Sequence, residues 1–107
     1  MTISIELDVF SGRPNPFWAV KNGEAKQLDS MLHNLPVYSG AAYTTDLGYK
    51  GFILTKSEGG KSEVFRVFKG TITAIGGNGK SMVDKMKLEE KLFRIAGEKG
   101  YGDLLKN

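Results

Sequence analysis

The sequence predicts an α+β fold: a single, mostly antiparallel sheet of about four or five strands, with two helices packed on one face. Three observations lead to this prediction. The chain opens with a strict apolar–polar alternation, two later runs rich in aromatic and β-branched residues flank a glycine-containing loop, and two segments repeat apolar residues at helical spacing. With 107 residues, we expect one domain that covers residues 1–107.

The first half of the chain predicts two strands and a helix. Ile3, Ile5, Leu7 and Val9 alternate with polar residues, which is typical of a half-buried strand. After a turn that contains two prolines, residues 17–20 return as a short strand. A helix near 24–35 follows, with Asn22 in a position to cap it and Pro36 forbidding its continuation. Its apolar residues are Ala25, Leu28, Leu32 and Leu35.

The second half predicts a hairpin, a third strand and another helix. Residues 49–56 and 63–69 are strand-like and are joined by the loop 57–61. Residues 71–75 form a further strand, either separate or a bent continuation of the previous one. A helix near 84–97 carries one apolar stripe. We expect a core made of Ile5, Leu7, Val9, Trp18, Leu28, Leu32, Ile53, Phe65, Val67, Leu88, Leu92 and Ile95.

The composition excludes several classes of function. There is no cysteine, which excludes thiol catalysis, disulfide scaffolds and cysteine-bound zinc, and the single His33 excludes a site with several histidine ligands. No nucleophile motif accompanies His33, and the carboxylate pairs specify no acid–base chemistry. We therefore expect a protein that is not an enzyme and that uses no cofactor and no metal.

Charge and hydropathy bear on location and partners. The first residues alternate and carry acids, unlike a secretion signal, and the apolar runs are far shorter than a membrane span of about 20 residues. We expect a cytoplasmic protein with no membrane partner. Residues 47–107 hold 12 basic and 7 acidic residues. That basic balance is a weak indication of nucleic-acid binding and is more typical of a solvated lysine surface.

The turn between the first two strands is the most informative segment. Its prolines reduce conformational freedom, Arg13 and Asn15 offer directional donors, and Trp18 offers a large apolar face. Arg and Trp are frequent hot-spot residues in protein interfaces. We therefore predict a partner-binding surface made of Ser11, Arg13, Asn15, Trp18, Tyr49 and Lys50. The alternative is a rigid structural turn, with Trp18 filling the core and Arg13 pairing with an acid such as Asp8.

A second candidate site is the glycine-rich loop before the last helix. Residues 74–81 match the permissive form of the nucleotide-binding P-loop, in which glycine amides cradle phosphate. Gly77, Gly79, Lys80 and Ser81 would be its phosphate-binding residues. Against this, a P-loop protein needs a parallel sheet and a later strand with a magnesium-binding Asp, and only 26 residues follow Ser81. A flexible glycine loop is the favoured interpretation.

The start of the predicted hairpin is similar to the aromatic strand motif of the RNA-recognition fold. Lys50, Gly51 and Phe52 match its first three positions, but the residues after them do not. If the strand register allowed it, Phe52 could join Arg66 and Phe68 in a basic-aromatic patch. The favoured interpretation places Phe52 and Phe68 in the core.

Two motifs together carry a resemblance. The segment Phe10–Ser11–Gly12–Arg13–Pro14–Asn15–Pro16–Phe17–Trp18 and the strand start Gly48–Tyr49–Lys50–Gly51–Phe52 resemble those of a group of small bacterial proteins that share an FSGRPNPxW turn and a GYKGF strand start. The resemblance implies a bacterial-type, single-domain cytosolic protein and supplies no activity. The sequence thus favours a non-enzymatic binding module for a protein partner, with a nucleotide or single-stranded nucleic-acid binder as the alternative.

Overall fold

The computed structural model describes residues 1–9, 14–38, 50–75 and 80–102. These residues form one antiparallel sheet with the strand order β2-β1-β3-β4-β5-β6 and two helices, which confirms the predicted α+β fold. The described strands number six rather than four or five. The elements are β1 (Thr2–Leu7), β2 (Phe17–Lys21), α1 (Asn22–Ser30), β3 (Phe52–Glu58), β4 (Lys61–Phe68), β5 (Thr71–Ile75), β6 (Ser81–Val83) and α2 (Leu88–Glu98).

Two tight turns make β3, β4 and β5 a continuous meander. Gly59 and Gly60 both have positive φ, at 57° and 79°, between β3 and β4. Lys69 and Gly70 repeat that pattern, at 49° and 80°, between β4 and β5. Two successive residues with positive φ match the right-handed twist of antiparallel strands. The predicted hairpin at 57–61 is therefore confirmed, and β5 is a separate strand rather than a bent continuation of β4.

The register of the sheet decides which side chains form the core. Ile5 lies opposite Trp18 on β2 and Leu54 on β3, so these three share the face that both helices cover. Ile53 lies opposite Glu6 on the other face and is only partly buried, so its prediction as a core residue is wrong. The sequence alone does not show on which face Ile53 lies, because a register shift of one residue moves every side chain of a strand to the other face.

The core itself lies between the sheet and the helices. Of the expected core residues, Val9 and Trp18 are partly buried and pack against it. The largest fully buried side chains include Phe52, which had been expected in the core, and its ring meets Phe93 of α2 edge-on at 5.5 Å between centroids. The buried hydrophobic residues of this cluster are Ile3, Ile5, Leu7, Val20, Ala25, Leu28, Met31, Leu32, Phe52, Leu54, Phe65, Val67, Ile72, Leu88, Leu92, Ile95 and Ala96.

Both helices start differently from the sequence prediction. Lys21 occupies the N-cap position of α1 without a side-chain bond, while Asn22, the predicted cap, has φ of 57°. Helix α2 begins at Leu88 instead of near 84, with Lys87 at its N-cap position, and Asp84 lies before the helix and binds its first amides. The Asp84 carboxylate accepts hydrogen bonds from the backbone amides of Leu88 and Glu89, at 2.7 and 2.8 Å.

The two edges of the sheet end in different ways. The backbone of residues 36–38 runs along β6, where the Val83 amide donates to the Pro36 carbonyl at 2.8 Å and the Tyr38 amide to the Ser81 carbonyl at 3.0 Å. On the outer side of β2, by contrast, the described part of the chain supplies no neighbouring strand. No helix in the described residues has the length and apolar character needed to cross a membrane.

Candidate functional site

Asp8 follows the last residue of β1 and is only 8% exposed. Two backbone bonds hold it against the segment that leads into β3. The Asp8 amide donates to the Gly51 carbonyl at 3.0 Å, and the Lys50 amide donates to the Asp8 carbonyl at 2.7 Å. The β1–β3 ladder thus continues past the end of β1 and brings Lys50 beside Asp8.

The carboxylate of Asp8 forms ion pairs with two cations, of which Arg66 also donates a hydrogen bond. Nη1 of Arg66, from β4, donates to Oδ2 at 2.8 Å, and Nζ of Lys50 lies 3.9 Å from Oδ1. Nη1 of Arg66 also donates to the Lys50 carbonyl at 2.8 Å. The guanidinium therefore connects β4 to the end of β1 and to the segment that precedes β3. Its charge also offsets part of the free-energy cost of burying the Asp8 carboxylate.

Asn15 joins the turn between β1 and β2 to the same carboxylate. Its Nδ2 donates to Oε2 of Glu6 at 2.8 Å and to Oδ1 of Asp8 at 3.3 Å. Its Oδ1 accepts a hydrogen bond from the Val9 amide at 3.0 Å. We call Glu6, Asp8, Asn15, Lys50 and Arg66 the Asp8 cluster. It connects four segments of the chain through polar contacts.

Gly51 allows the backbone before β3 to adopt the conformation that brings Lys50 to Asp8. Its φ is 98°, a conformation that L side chains rarely adopt. A Cβ added there would lie 2.4 Å from the Val67 carbonyl oxygen and 2.8 Å from Cβ of Phe68. Only glycine therefore lets the backbone pass close to β4 while Lys50 bonds to Asp8.

The described members of the predicted partner-binding surface lie in two different places. Asn15 and Lys50 meet at Asp8, whereas Ser11, Arg13 and Tyr49 lie outside the described residues. Trp18 points to the helix-covered face, where its ring stacks on Tyr101 at 5.7 Å between centroids. Its Nε1 is buried and has no hydrogen-bond partner in the described part of the chain.

The sequence pointed to only part of the Asp8 cluster. The alternation of β1 places Glu6 and Asp8 away from the apolar residues of that strand, and this signal was visible. Arg66 was considered only for an aromatic patch, although an arginine between Phe65 and Val67 in an apolar strand is itself a signal of a specific partner. That partner is Asp8, the acid that the sequence suggests as a partner for Arg13.

Ser81, the last residue of the P-loop-like segment, begins a strand rather than a helix. This strand is β6, and Oγ of Ser81 lies 2.9 Å from Oγ of Thr73 on β5. Lys80 is exposed, and its carbonyl accepts a hydrogen bond from the Ala74 amide at 3.0 Å. Gly77 and Gly79 lie outside the described residues. The phosphate cradle of a P-loop uses the amides at a helix start, and here α2 begins only at Leu88.

The basic-aromatic patch considered for RNA does not form. Phe52 is fully buried in the core, and Phe68 is 1% exposed. Arg66 lies opposite Ile53 on the other face of the sheet and is used by Asp8. Without exposed aromatic faces, these residues offer no platform on which bases could stack.

A second ion-pair cluster joins α1 to β3. Nζ of Lys56 lies 2.7 Å from Oδ1 of Asp29, which is also 3.2 Å from Nε2 of His33. Burial raises the pKa of Asp29, but the hydrogen bond and charge of Lys56, aided by His33, outweigh that effect and lower the pKa below its usual value. The same hydrogen bond stabilises the charged form of Lys56 and therefore raises the pKa of that side chain. The ion pair between Asp29 and Lys56 therefore holds α1 against the sheet.

A surface groove of about 330 Å³ is lined by none of the predicted site residues that the structure describes. Its lining residues are Met31, Met86, Lys87, Glu90, Lys91 and Arg94, on the helical side of the molecule. It is open and carries no group of acids or histidines. In the described residues as a whole, no three such side chains are placed to hold a metal ion.

Comparison with known proteins leaves the assignment to the site itself. No family model, curated protein or solved structure matches this chain. The resemblance carried by the turn and the GYKGF strand start stays a prediction. The geometry around Asp8 is therefore the observation on which a function has to rest.

Proposed function

We propose that this protein is a small non-enzymatic binding module that recognises a protein partner. The proposed surface is formed by the turn between β1 and β2 and by the residues that lead into β3, with Ser11, Arg13, Asn15, Trp18, Tyr49 and Lys50 as its members. One observation carries the proposal. Asn15 and Lys50, from two segments far apart in the chain, both contact the carboxylate of Asp8.

The Asp8 cluster supports the proposal because it holds Asn15 and Lys50, one described residue from each segment, in place. Asn15 uses its amide nitrogen and its amide oxygen to bind three other residues, and the Leu7 amide donates to the Pro16 carbonyl at 2.9 Å. A surface that is ordered before binding loses less conformational entropy on binding. Pro14 is exposed beside this anchor and adds a residue with little freedom to lose.

The chemistry of the cluster favours binding over catalysis. Asp8 accepts hydrogen bonds from a guanidinium and an amide and forms ion pairs with Arg66 and Lys50, and Glu6 accepts a hydrogen bond from Asn15. A carboxylate engaged in this way holds neighbouring groups in place. In the proposal, Trp18 supports the turn from the core side through its stacking on Tyr101.

Site-specific photo-crosslinking tests this proposal. The photoreactive residue p-benzoylphenylalanine is placed at Pro14 or, as a matched control, at Ser62, which is exposed at the opposite end of the sheet. In extract of the native host, we expect a discrete protein adduct from position 14 that excess wild-type protein competes away. The control position gives no such adduct.

Two results would overturn the proposal. One is an identical adduct pattern from both positions, and the other is no competable adduct from position 14. Titration with labelled single-stranded RNA at two salt concentrations tests the alternative in parallel. Salt-sensitive binding of RNA, in the absence of a protein adduct, would favour the nucleic-acid hypothesis.

A further inference from the structure

The outer edge of β2 has a backbone that is ready to accept another strand. The Leu7 amide donates to the Pro16 carbonyl, which marks that aligned pair as a hydrogen-bonded one. In an antiparallel pair the hydrogen-bonded and non-hydrogen-bonded positions alternate. Phe17, Ala19 and Lys21 therefore occupy non-hydrogen-bonded positions toward β1, and their N–H and C=O groups point away from the sheet.

The side chains of the same three residues share one face and are exposed. They lie opposite Glu6, Ser4 and Thr2 on the face that the helices leave uncovered. Phe17 is 71% exposed, the highest value among the large hydrophobic side chains that the structure describes as exposed. Within the described residues, nothing pairs with the outward backbone groups of this strand. An edge strand of this kind, with a prominent aromatic residue, is a template for pairing with another chain.

From this geometry we infer that β2 pairs with β2 of a second copy of this chain, antiparallel and centred on Ala19. The two sheets become one continuous sheet across the twofold axis. In this register Ala19 lies opposite Ala19 of the second copy, and Phe17 lies opposite its Lys21. All three residues with outward backbone groups then bond across the junction.

The side chains opposite each other in this register are complementary. Phe17 faces a lysine on either side of the axis, which allows a cation–π contact on the uncovered face. The small Ala19 lets the strands approach at the centre. On the core face Trp18 lies opposite Val20, and an aromatic residue across from a β-branched one is a favourable cross-strand pair.

Other registers use the edge less well. Centring the pair on Trp18 or on Val20 leaves one of the three outward-facing residues without a strand partner, because Pro16 precedes β2 and α1 starts at Asn22. In a register shifted by one residue, residues with outward N–H and C=O groups would lie opposite residues whose groups point toward β1, so the hydrogen bonds across the junction could not form. The register centred on Ala19 is therefore the one that the sequence of β2 fits.

This inference is independent of the proposed partner. It depends on the outward backbone groups of Phe17, Ala19 and Lys21. The proposed binding surface depends on the turn and the start of β3, and the two surfaces share one residue, Trp18 of β2. A monomeric protein could still bind its partner through the turn, and a dimer could form without one. The two proposals therefore fail separately.

Sedimentation equilibrium of the full chain tests the dimer. A contact between two edge strands is small, so we expect a reversible change from one chain to two between about 10 µM and 1 mM. Ala19→Pro removes only the outward amide and leaves the pairing with β1 intact, since prolines are tolerated at edge strands. It should weaken the dimer by at least about tenfold, a shift that the same method measures.

A charge exchange tests the register directly. Phe17→Lys places two lysines opposite each other at both ends of the junction and should abolish the dimer. Adding Lys21→Glu restores opposite charges at those positions and should restore it. Circular dichroism melts confirm that each variant folds. A wild-type protein that remains monomeric over this range, or a double variant no more dimeric than Phe17→Lys, would overturn the inference.

Discussion

The β3–β4–β5 meander and the Asp8 cluster are parts of the same sheet, but different forces hold them. The meander is local: neighbouring strands are joined by two-residue turns with positive φ, and its inward side chains lie in the apolar core. The Asp8 cluster joins segments that are distant in the chain, such as Asp8 and Arg66, through charges and amides. Local turns build the scaffold, and long-range polar contacts fix the surface at its end.

The two regions meet at Gly51, and substitution there should have the largest effect. In Gly51→Val the side chain would collide with the Val67 carbonyl and Phe68, and the residue would be strained at its φ of 98°. Backbone strain and overpacking together should cost about 3 to 5 kcal/mol of the free energy of unfolding, measured by urea denaturation. Gly60→Ala is the control, with φ of 79° but open space around the added Cβ. It should cost only about 1 kcal/mol.

Removing the central acid tests whether the cluster is held by charge. Asp8→Ala leaves the guanidinium of Arg66 partly buried without its carboxylate and should cost about 3 kcal/mol, at the lower end for buried pairs because both side chains retain some exposure. In a double-mutant cycle with Arg66→Met, we expect the two effects to be strongly non-additive. Simple additivity in urea unfolding would show that the pair contributes no coupling.

Asn15 tests the link between the turn and the cluster. Asn15→Ala removes the bonds to Glu6, Asp8 and the Val9 amide and should cost about 1 to 2 kcal/mol. Gln27→Ala truncates an exposed side-chain amide on α1 and should stay within about 0.5 kcal/mol of wild type. Equal unfolding free energies for the two variants would mean that the turn is not anchored through Asn15.

The smallest effect concerns the ion pair between α1 and β3, and it depends on pH. Because the pKa of Asp29 is lower in the folded protein than its value of 3.8 in the unfolded chain, its charge adds stability above that pH. This contribution, about 1 kcal/mol or less, is lost as the pH falls through the folded pKa. Unfolding free energies of wild type and Asp29→Asn should therefore differ at pH 7 and converge as the pH falls below 3.8 and Asp29 becomes protonated in the folded protein. A constant difference across that range would contradict the assignment.

The features set by local chemistry were the ones that the sequence predicted well. The glycines around residue 59 indicated the first hairpin, and the alternation of residues 3–9 indicated β1. Strand β6 was missed, because three residues after a glycine-rich loop carry no period from which to recognise a strand. Asp84 looked like the start of a helix and instead lies before the helix and binds its first amides.

The candidate site was predicted only in part, because its geometry depends on register and on distant residues. The sequence singled out Asn15 and Lys50 but not that both would contact Asp8. The sequence suggests an aromatic patch for Arg66, because it does not reveal the strand register that directs this side chain toward the end of β1. The face of the sheet on which Phe52 lies likewise depends on the register between β3 and β1, which the sequence does not show.

In our proposal the turn serves binding, and the Asp8 cluster anchors it through Asn15. Arg13→Ala tests it most directly when stability and partner capture are measured on the same variant. We predict a free energy of unfolding within about 0.5 kcal/mol of wild type. We also predict about a thirtyfold loss of capture by the photoreactive residue at position 14, equivalent to about 2 kcal/mol. A loss of about 3 kcal/mol in stability with unchanged capture would contradict the account and make the turn a structural element.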